Sequence, residues 1–191
     1  MLECSIAKFT QLGSKHVTLD EIANALGISK KTIYTFFETK EALVTSSLER
    51  LLNTYKEDIN RIISSNTNDP ILCVVLIYKR GFTYLKYFTP SFLFDLQKYY
   101  PKAGKVFDDF TEEVSTILVF NLLQKAQRAG AIKQEVNLEL MIKAYFFRLD
   151  TLLFKNNNLF ELYTKEALFK HLVIYNLKGI ITSTYSNSYL V

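Results

Sequence analysis

The stretch Val17-Thr18-Leu19-Asp20-Glu21-Ile22-Ala23-Asn24-Ala25-Leu26-Gly27-Ile28-Ser29-Lys30-Lys31-Thr32-Ile33-Tyr34-Thr35-Phe36-Phe37 decides the fold. Ile22, Ala23 and Leu26 recur at helical spacing, and Gly27 follows them as a residue that takes positive φ cheaply. Thr18 stands where an N-cap is needed, with Asp20 and Glu21 in the first turn, where the helix macrodipole favours acids. Ser29 caps a second helix, and Ile33 and Phe37, four residues apart, form its buried face. Ala23 is small, as two helices crossing closely after so short a turn require. Lys30, Lys31, Thr32, Tyr34 and Thr35 are left facing outward.

Two short helices joined by a tight glycine turn have the layout of a helix-turn-helix, and the outward set is suited to phosphates and base edges. Two plainer readings compete. Propensity alone makes Thr32 to Phe37, β-branched and aromatic, a strand. Pairs of small amphipathic helices also occur in proteins that never touch DNA. Spacing alone leaves these open.

The sequence from Met1 to Val44 resembles the N-terminal domain of the tetracycline-repressor (TetR) family of transcriptional regulators. The resemblance is carried by Phe9, Gly13, Thr18, Ile22-Ala23, Gly27-Ile28-Ser29, Thr32-Ile33-Tyr34, Phe37, Lys40 and Leu43. It implies that Lys30 to Thr35 form the recognition helix in the major groove. Thr32 and Tyr34 match positions that hydrogen-bond phosphates, and Lys40 matches a phosphate-gripping lysine. Lys30, Lys31 and Thr35 are the candidates for base edges, and Thr18 completes the expected DNA-binding set. Two departures stand out. Lys31 replaces an often small residue, and Phe36 replaces an often hydrogen-bonding Tyr or His. The chain begins at what should already be the first helix, with no basic arm, so a few upstream residues are expected to be missing.

The 191 residues suffice for one or two domains, and the 49% hydrophobic and 22% charged content suits a globular chain. No apolar run approaches the roughly 18 residues of a membrane span, and no secretory signal precedes the first helix, which predicts a cytoplasmic protein without a membrane partner. Cys4 and Cys73 sit in apolar helical patterns and read as reduced core residues. The net charge is +4, but residues 1–45 hold five lysines and five acids. Bulk charge therefore gives no argument for DNA binding. Local placement of Lys15, Lys30, Lys31 and Lys40 must supply it.

Beyond Phe37 the pattern is helical throughout. Thr39 caps a long helix to about Ser65, and Pro70 opens one reaching about Phe88. Pro90 and Pro101 bracket a short helix, followed by one from about Lys105 to Arg128. Asn137 opens a helix to about Lys155, and Thr164 opens a last one to about Thr184. The tail from Ser183 is expected to fray. The fold class is all-α: an N-terminal three-helix DNA-binding domain (1–45), then a helical bundle for ligand binding and dimerisation (46–191).

Met141, Ile142, Tyr145, Leu149 and Leu152, then Leu168, Leu172, Tyr175 and Ile180, form apolar stripes on the last two helices. The resemblance implies that these pair with a second subunit; closing the monomer's own core is the alternative. Reading two half-sites needs two heads, which favours a homodimer. The chain has 15 Phe and 12 Tyr. Tyr78, Phe82, Phe107, Phe110 and Tyr145 are candidates to line a pocket for a largely apolar or aromatic ligand, with Arg148 for an anionic group. Plain core is the alternative for the aromatics, and an acid across the bundle for Arg148. No metal-ligand spacing, nucleophile elbow, Walker loop or dinucleotide fingerprint is present, so no catalytic residue, metal or cofactor is expected. The sequence predicts a ligand-responsive repressor binding double-stranded DNA at a palindromic operator. A helical scaffold that keeps the helix-turn-helix as structure is the competing reading.

Overall fold

The computed structural model describes residues 1–150 and 162–190, and of these only the backbone at Ser115 and 146–150. Leu152 of the expected stripe lies outside the described residues, as do the side chains of Arg148 and Leu149. The chain forms two compact units, each discontinuous in sequence: Met1–Lys56 with Tyr84–Phe110, and Glu57–Thr83 with Thr111–Val191.

The first unit contains α1 (Leu2–Leu12), α2 (Leu19–Leu26), α3 (Lys30–Phe36), the first part of α4 (Lys40–Ser65), a 3-10 turn Leu85–Tyr87, α6 (Pro90–Tyr99) and α7 (Pro101–Thr111) up to Phe110. Its core joins Phe9, Ile22, Ile33, Leu43 and Leu48 to Phe92 and Leu96, all fully buried. Residues 1–45 are therefore packed together with α6, across an expected domain boundary. The reason is long-range and polar. Asp95 of α6 is buried, and its Oδ2 accepts the Lys15 N–H at 2.7 Å and the Ser14 hydroxyl at 3.3 Å. Tyr100 donates its hydroxyl to the Ser14 carbonyl at 3.2 Å, and Thr89 donates to the Thr10 carbonyl at 3.0 Å. Gly13 has φ +83, and a Cβ there would meet Ser91 Oγ at 2.8 Å and Asp95 Oδ2 at 3.1 Å. The backbone conformation and the close approach of α6 both demand glycine.

The second unit holds the end of α4, most of α5 (Pro70–Tyr84), α8 (Val119–Arg128), α9 (Leu138–Asp150), α10 (Lys165–Phe169) and α11 (Tyr175–Ile180). Asp69 caps α5, its Oδ1 accepting the Leu72 N–H at 2.9 Å, and Pro70 takes the first helical position. Wide π-helical turns at Glu112–Leu118 and Lys170–Ile174 precede α8 and α11. The expected 105–128 helix thus begins at Pro101 and is interrupted, since apolar spacing does not mark an inserted π residue. The helix from Pro70 ends at Tyr84 in a 3-10 turn, short of Phe88.

The last helix stops at Ile180, and the tail is docked, which corrects the expected fraying. Ile181 bridges antiparallel to Ile132, and Thr182 N–H donates to Ala131 O at 3.0 Å. Tyr185 donates to Asp69 Oδ1 at 2.6 Å, Lys79 Nζ donates to Tyr189 Oη at 3.0 Å, and Leu190 is buried. Polar composition pointed to solvent; these partners lie far away in sequence.

Candidate nucleic-acid interface

The helix-turn-helix is built by local hydrogen bonds. Thr18 and Glu21 form a reciprocal capping box: Glu21 N–H donates to Thr18 Oγ1 at 3.2 Å, and Thr18 N–H donates to Glu21 Oε2 at 2.6 Å. These hydrogen bonds from Thr18 hold the Glu21 carboxyl below its ordinary value. At the other end of α2, Gly27 adopts φ 65, ψ 30. Its N–H reaches Asn24 O at 3.2 Å, while Ile28 N–H reaches Ala23 O at 3.0 Å, a Schellman closure. Ser29 Oγ then accepts the Thr32 N–H at 3.0 Å and starts α3. Ile33 is fully buried beneath it.

Capping, not β-propensity, thus determines the conformation of Thr32 to Phe37: α3 runs from Lys30 to Phe36. Its outward surface carries Lys31, Thr35, Tyr34 (48% exposed) and Phe36 (70% exposed). Among the described residues Lys31 forms no ion pair. Lys30 does: its Nζ meets Asp20 Oδ2 at 2.8 Å, and that hydrogen bond raises its pKa. The Thr32 and Ser29 hydroxyls lie 2.9 Å apart, and Thr35 donates to Thr32 O at 2.6 Å. Thr18 is occupied in its cap. Lys40, just after the Thr39 cap, is half-buried, its Nζ donating to Lys15 O at 3.1 Å. Burial lowers its pKa.

The sequence-predicted DNA set is therefore gathered on one small domain, with Lys31, Tyr34 and Thr35 the most available. Sequence reading missed the α6 clamp. Its signal was Asp95, a charged residue between Phe92 and Leu96 on the apolar face of a short helix.

Residues 3–46 match the family described as bacterial regulatory proteins, tetR family. Over these residues the chain is similar to the TetR family. The chain accordingly carries the helix-turn-helix DNA-binding domain of a transcriptional regulator. It is 26% identical over 199 residues to the HTH-type transcriptional regulator YhgD of Bacillus subtilis, with 94% of each chain covered. Among solved structures it is similar in fold to SmeT, the repressor of the Stenotrophomonas maltophilia multidrug efflux pump SmeDEF. The TM-score is 0.73 and the identity 14%, covering 100% of this chain and 93% of SmeT. The fatty acid degradation regulator FadR from Bacillus halodurans gives a TM-score of 0.70 at 19% identity, with 93% of each covered.

The expected pocket residues separate. Phe107 and Phe110 belong to the first unit, where their rings pack against Phe88 and Tyr55 at 5.1 and 5.8 Å. In the second unit Tyr78 and Tyr145 meet edge-on at 5.8 Å and line a cavity of about 30 Å³ with Met141, Val119 and Val173. Phe82 instead packs on Phe169. Of the expected dimer residues, Leu168 and Leu172 are buried within their own unit, and Tyr145 donates to Leu172 O at 2.5 Å. Tyr175 is 51% exposed. Among the described residues no helix is long and apolar enough to cross a membrane.

Proposed function

We propose that the chain is a ligand-responsive repressor that binds a palindromic operator as a homodimer, with 1–45 reading DNA and 46–191 serving ligand and dimer. The observation that carries the reading is the exposed Lys31, Tyr34 and Thr35 surface on a helix fixed by capping at both ends of its turn. Lys31 and Thr35 reach base edges, while Thr32, Tyr34 and Lys40 hold phosphates. Lys30 first exchanges Asp20 for DNA. Pairing of subunits uses the exposed side of the C-terminal helices around Tyr175, since Leu168 and Leu172 are spent within the subunit.

The proposed inducer is a small, largely apolar molecule entering between Tyr78, Met141 and Tyr145. The present cavity of about 30 Å³ is far below the roughly 300 Å³ of an ordinary ligand site, so entry must displace side chains. Met141 is the most adaptable of them; one π-helical turn leads into the wall residue Val119 and the other contains the wall residue Val173. Ligand selects a conformer whose two heads no longer match successive major grooves, provided it binds the two states unequally.

The test is recovery and sequencing of genomic fragments retained by the protein, followed by gel shift. Lys31→Ala and Tyr34→Ala are each expected to weaken specific binding about tenfold or more. Wild-type affinity in both variants would sink the reading. Tyr175→Glu is expected to yield monomer on light scattering and to lose the palindromic complex.

A further inference from the structure

Beside the helix-turn-helix, within the same unit, two ammonium groups converge on one phenol. Lys15 Nζ donates to the Tyr99 hydroxyl at 2.9 Å and stands 4.4 Å from the ring centroid. Lys98 Nζ lies 5.5 Å from that centroid and 5.1 Å from the centroid of Phe94, which is 56% exposed. Among the described residues neither ammonium forms an ion pair. Asp95, on the same helix, is 3% exposed and turned inward onto Lys15 N–H and Ser14. Lys40 Nζ is bonded to the backbone carbonyl of Lys15, which ties this loop to the start of α4. Asp95 acts on the Lys15 ammonium only through space, and among the described residues no acid closes on the Lys15 or Lys98 ammonium. An anion placed between these two like charges relieves their repulsion.

We propose that Lys98 and Lys15 hold a DNA phosphodiester flanking the groove entered by α3, so that α6 extends the DNA footprint beyond the helix-turn-helix. The proposal rests on the DNA-binding reading. Phosphate is the matching chemistry: Lys15 and Lys98 bring point charges with rotatable donors, and Tyr99 brings a hydroxyl between them. The site is indifferent to sequence, since neither lysine belongs to α3.

The experiment compares wild type, Lys98→Ala, Lys98→Arg and Lys15→Ala by fluorescence anisotropy across a salt series. The probes are a retained genomic duplex and a scrambled duplex of equal length. Each alanine variant is expected to weaken both duplexes by the same factor, roughly three- to tenfold, and to reduce the slope of log affinity against log salt by about 0.9. Lys98→Arg restores both. A merely structural role would lower the melting temperature and leave the salt slope alone, which would overturn the proposal. Unchanged affinity and slope in Lys98→Ala would overturn it too. So would loss of inorganic pyrophosphate binding with an unaltered DNA slope, which would assign the cluster to a free anion. If wild type shows no preference between the duplexes, the repressor reading fails, while the scrambled duplex still tests the cluster.

Discussion

At the scale of single residues, the reading surface depends on groups that do not read. Thr18 holds the first turn of α2 through both halves of its capping box. Thr18→Ala removes the acceptor for Glu21 N–H and is expected to cost about 1 kcal/mol, seen as a lower urea midpoint at unchanged slope. The pH dependence follows from Glu21. Its carboxyl is held below its ordinary value of 4.5 by hydrogen bonds from Thr18. A lowered carboxyl contributes stability above the ordinary value and loses it as pH falls through the lowered one. Because the first of these donors is the Thr18 backbone N–H, Glu21→Gln is the variant that should flatten the acid limb of the stability profile, and an acid limb identical to wild type would refute the assignment. Asp20 acts differently: it holds Lys30 Nζ at 2.8 Å, so on the proposed reading that cation must leave Asp20 to meet DNA.

At the scale of elements, the C-terminal strap deserves comparison with the helix-turn-helix. Tyr185 closes onto Asp69, the residue that caps α5, and Asn187 Nδ2 donates to the Tyr185 hydroxyl at 2.8 Å. Burial, then the hydrogen bond to Asp69, raises the Tyr185 pKa above its ordinary value of 10.0. A raised phenol contributes stability that is complete below the ordinary value and is lost as pH rises through the raised one. Tyr185→Phe is expected to cost on the order of 1 kcal/mol near neutral pH. It should also remove part of the alkaline loss of stability in a pH series of thermal melts. A melt as stable as wild type across that series would show the strap to be passive. The contrast explains what was legible in the sequence. The caps of α2 and α3 and the turn at Gly27 lie within six residues of their partners, so spacing revealed them. The Asp69 cap of α5 is just as local, but the sequence reading opens that helix on Pro70 instead. Asp95 with Lys15, Tyr185 with Asp69, and Ile181 with Ile132 are joined only by the folded chain. The π-helical turns were hidden for another reason: they keep the apolar composition of a helix while shifting its phase.

At the scale of the molecule, the chain leaves the first unit within α4 and returns to it at Tyr84, so the DNA-binding head is expected to need the returning segment to fold. Residues 1–56 alone would lack Phe92 and Leu96, both fully buried against Phe9 and its neighbours, together with Tyr84, Tyr100 and Ala103. Burial of a large apolar side chain contributes about 1.5–3 kcal/mol, so the first two alone represent about 3–6 kcal/mol. That is comparable to the roughly 5–15 kcal/mol that holds a whole domain folded. The fragment would also leave Ser14 and the Lys15 N–H without the Asp95 carboxylate that fixes the loop before α2. Residues 1–56 are therefore expected to show residual helix by circular dichroism but no cooperative thermal transition, and no sequence-specific gel shift. A sharp melt within a few degrees of that of the full chain would show that α1 to α4 suffice. Asp95→Ala in the full chain provides the finer arm. It should loosen the loop carrying Lys15 and weaken DNA binding while the second unit, probed by Tyr145 and Tyr185, keeps its melt. Loss of structure in both units together would instead make Asp95 a determinant of the whole fold.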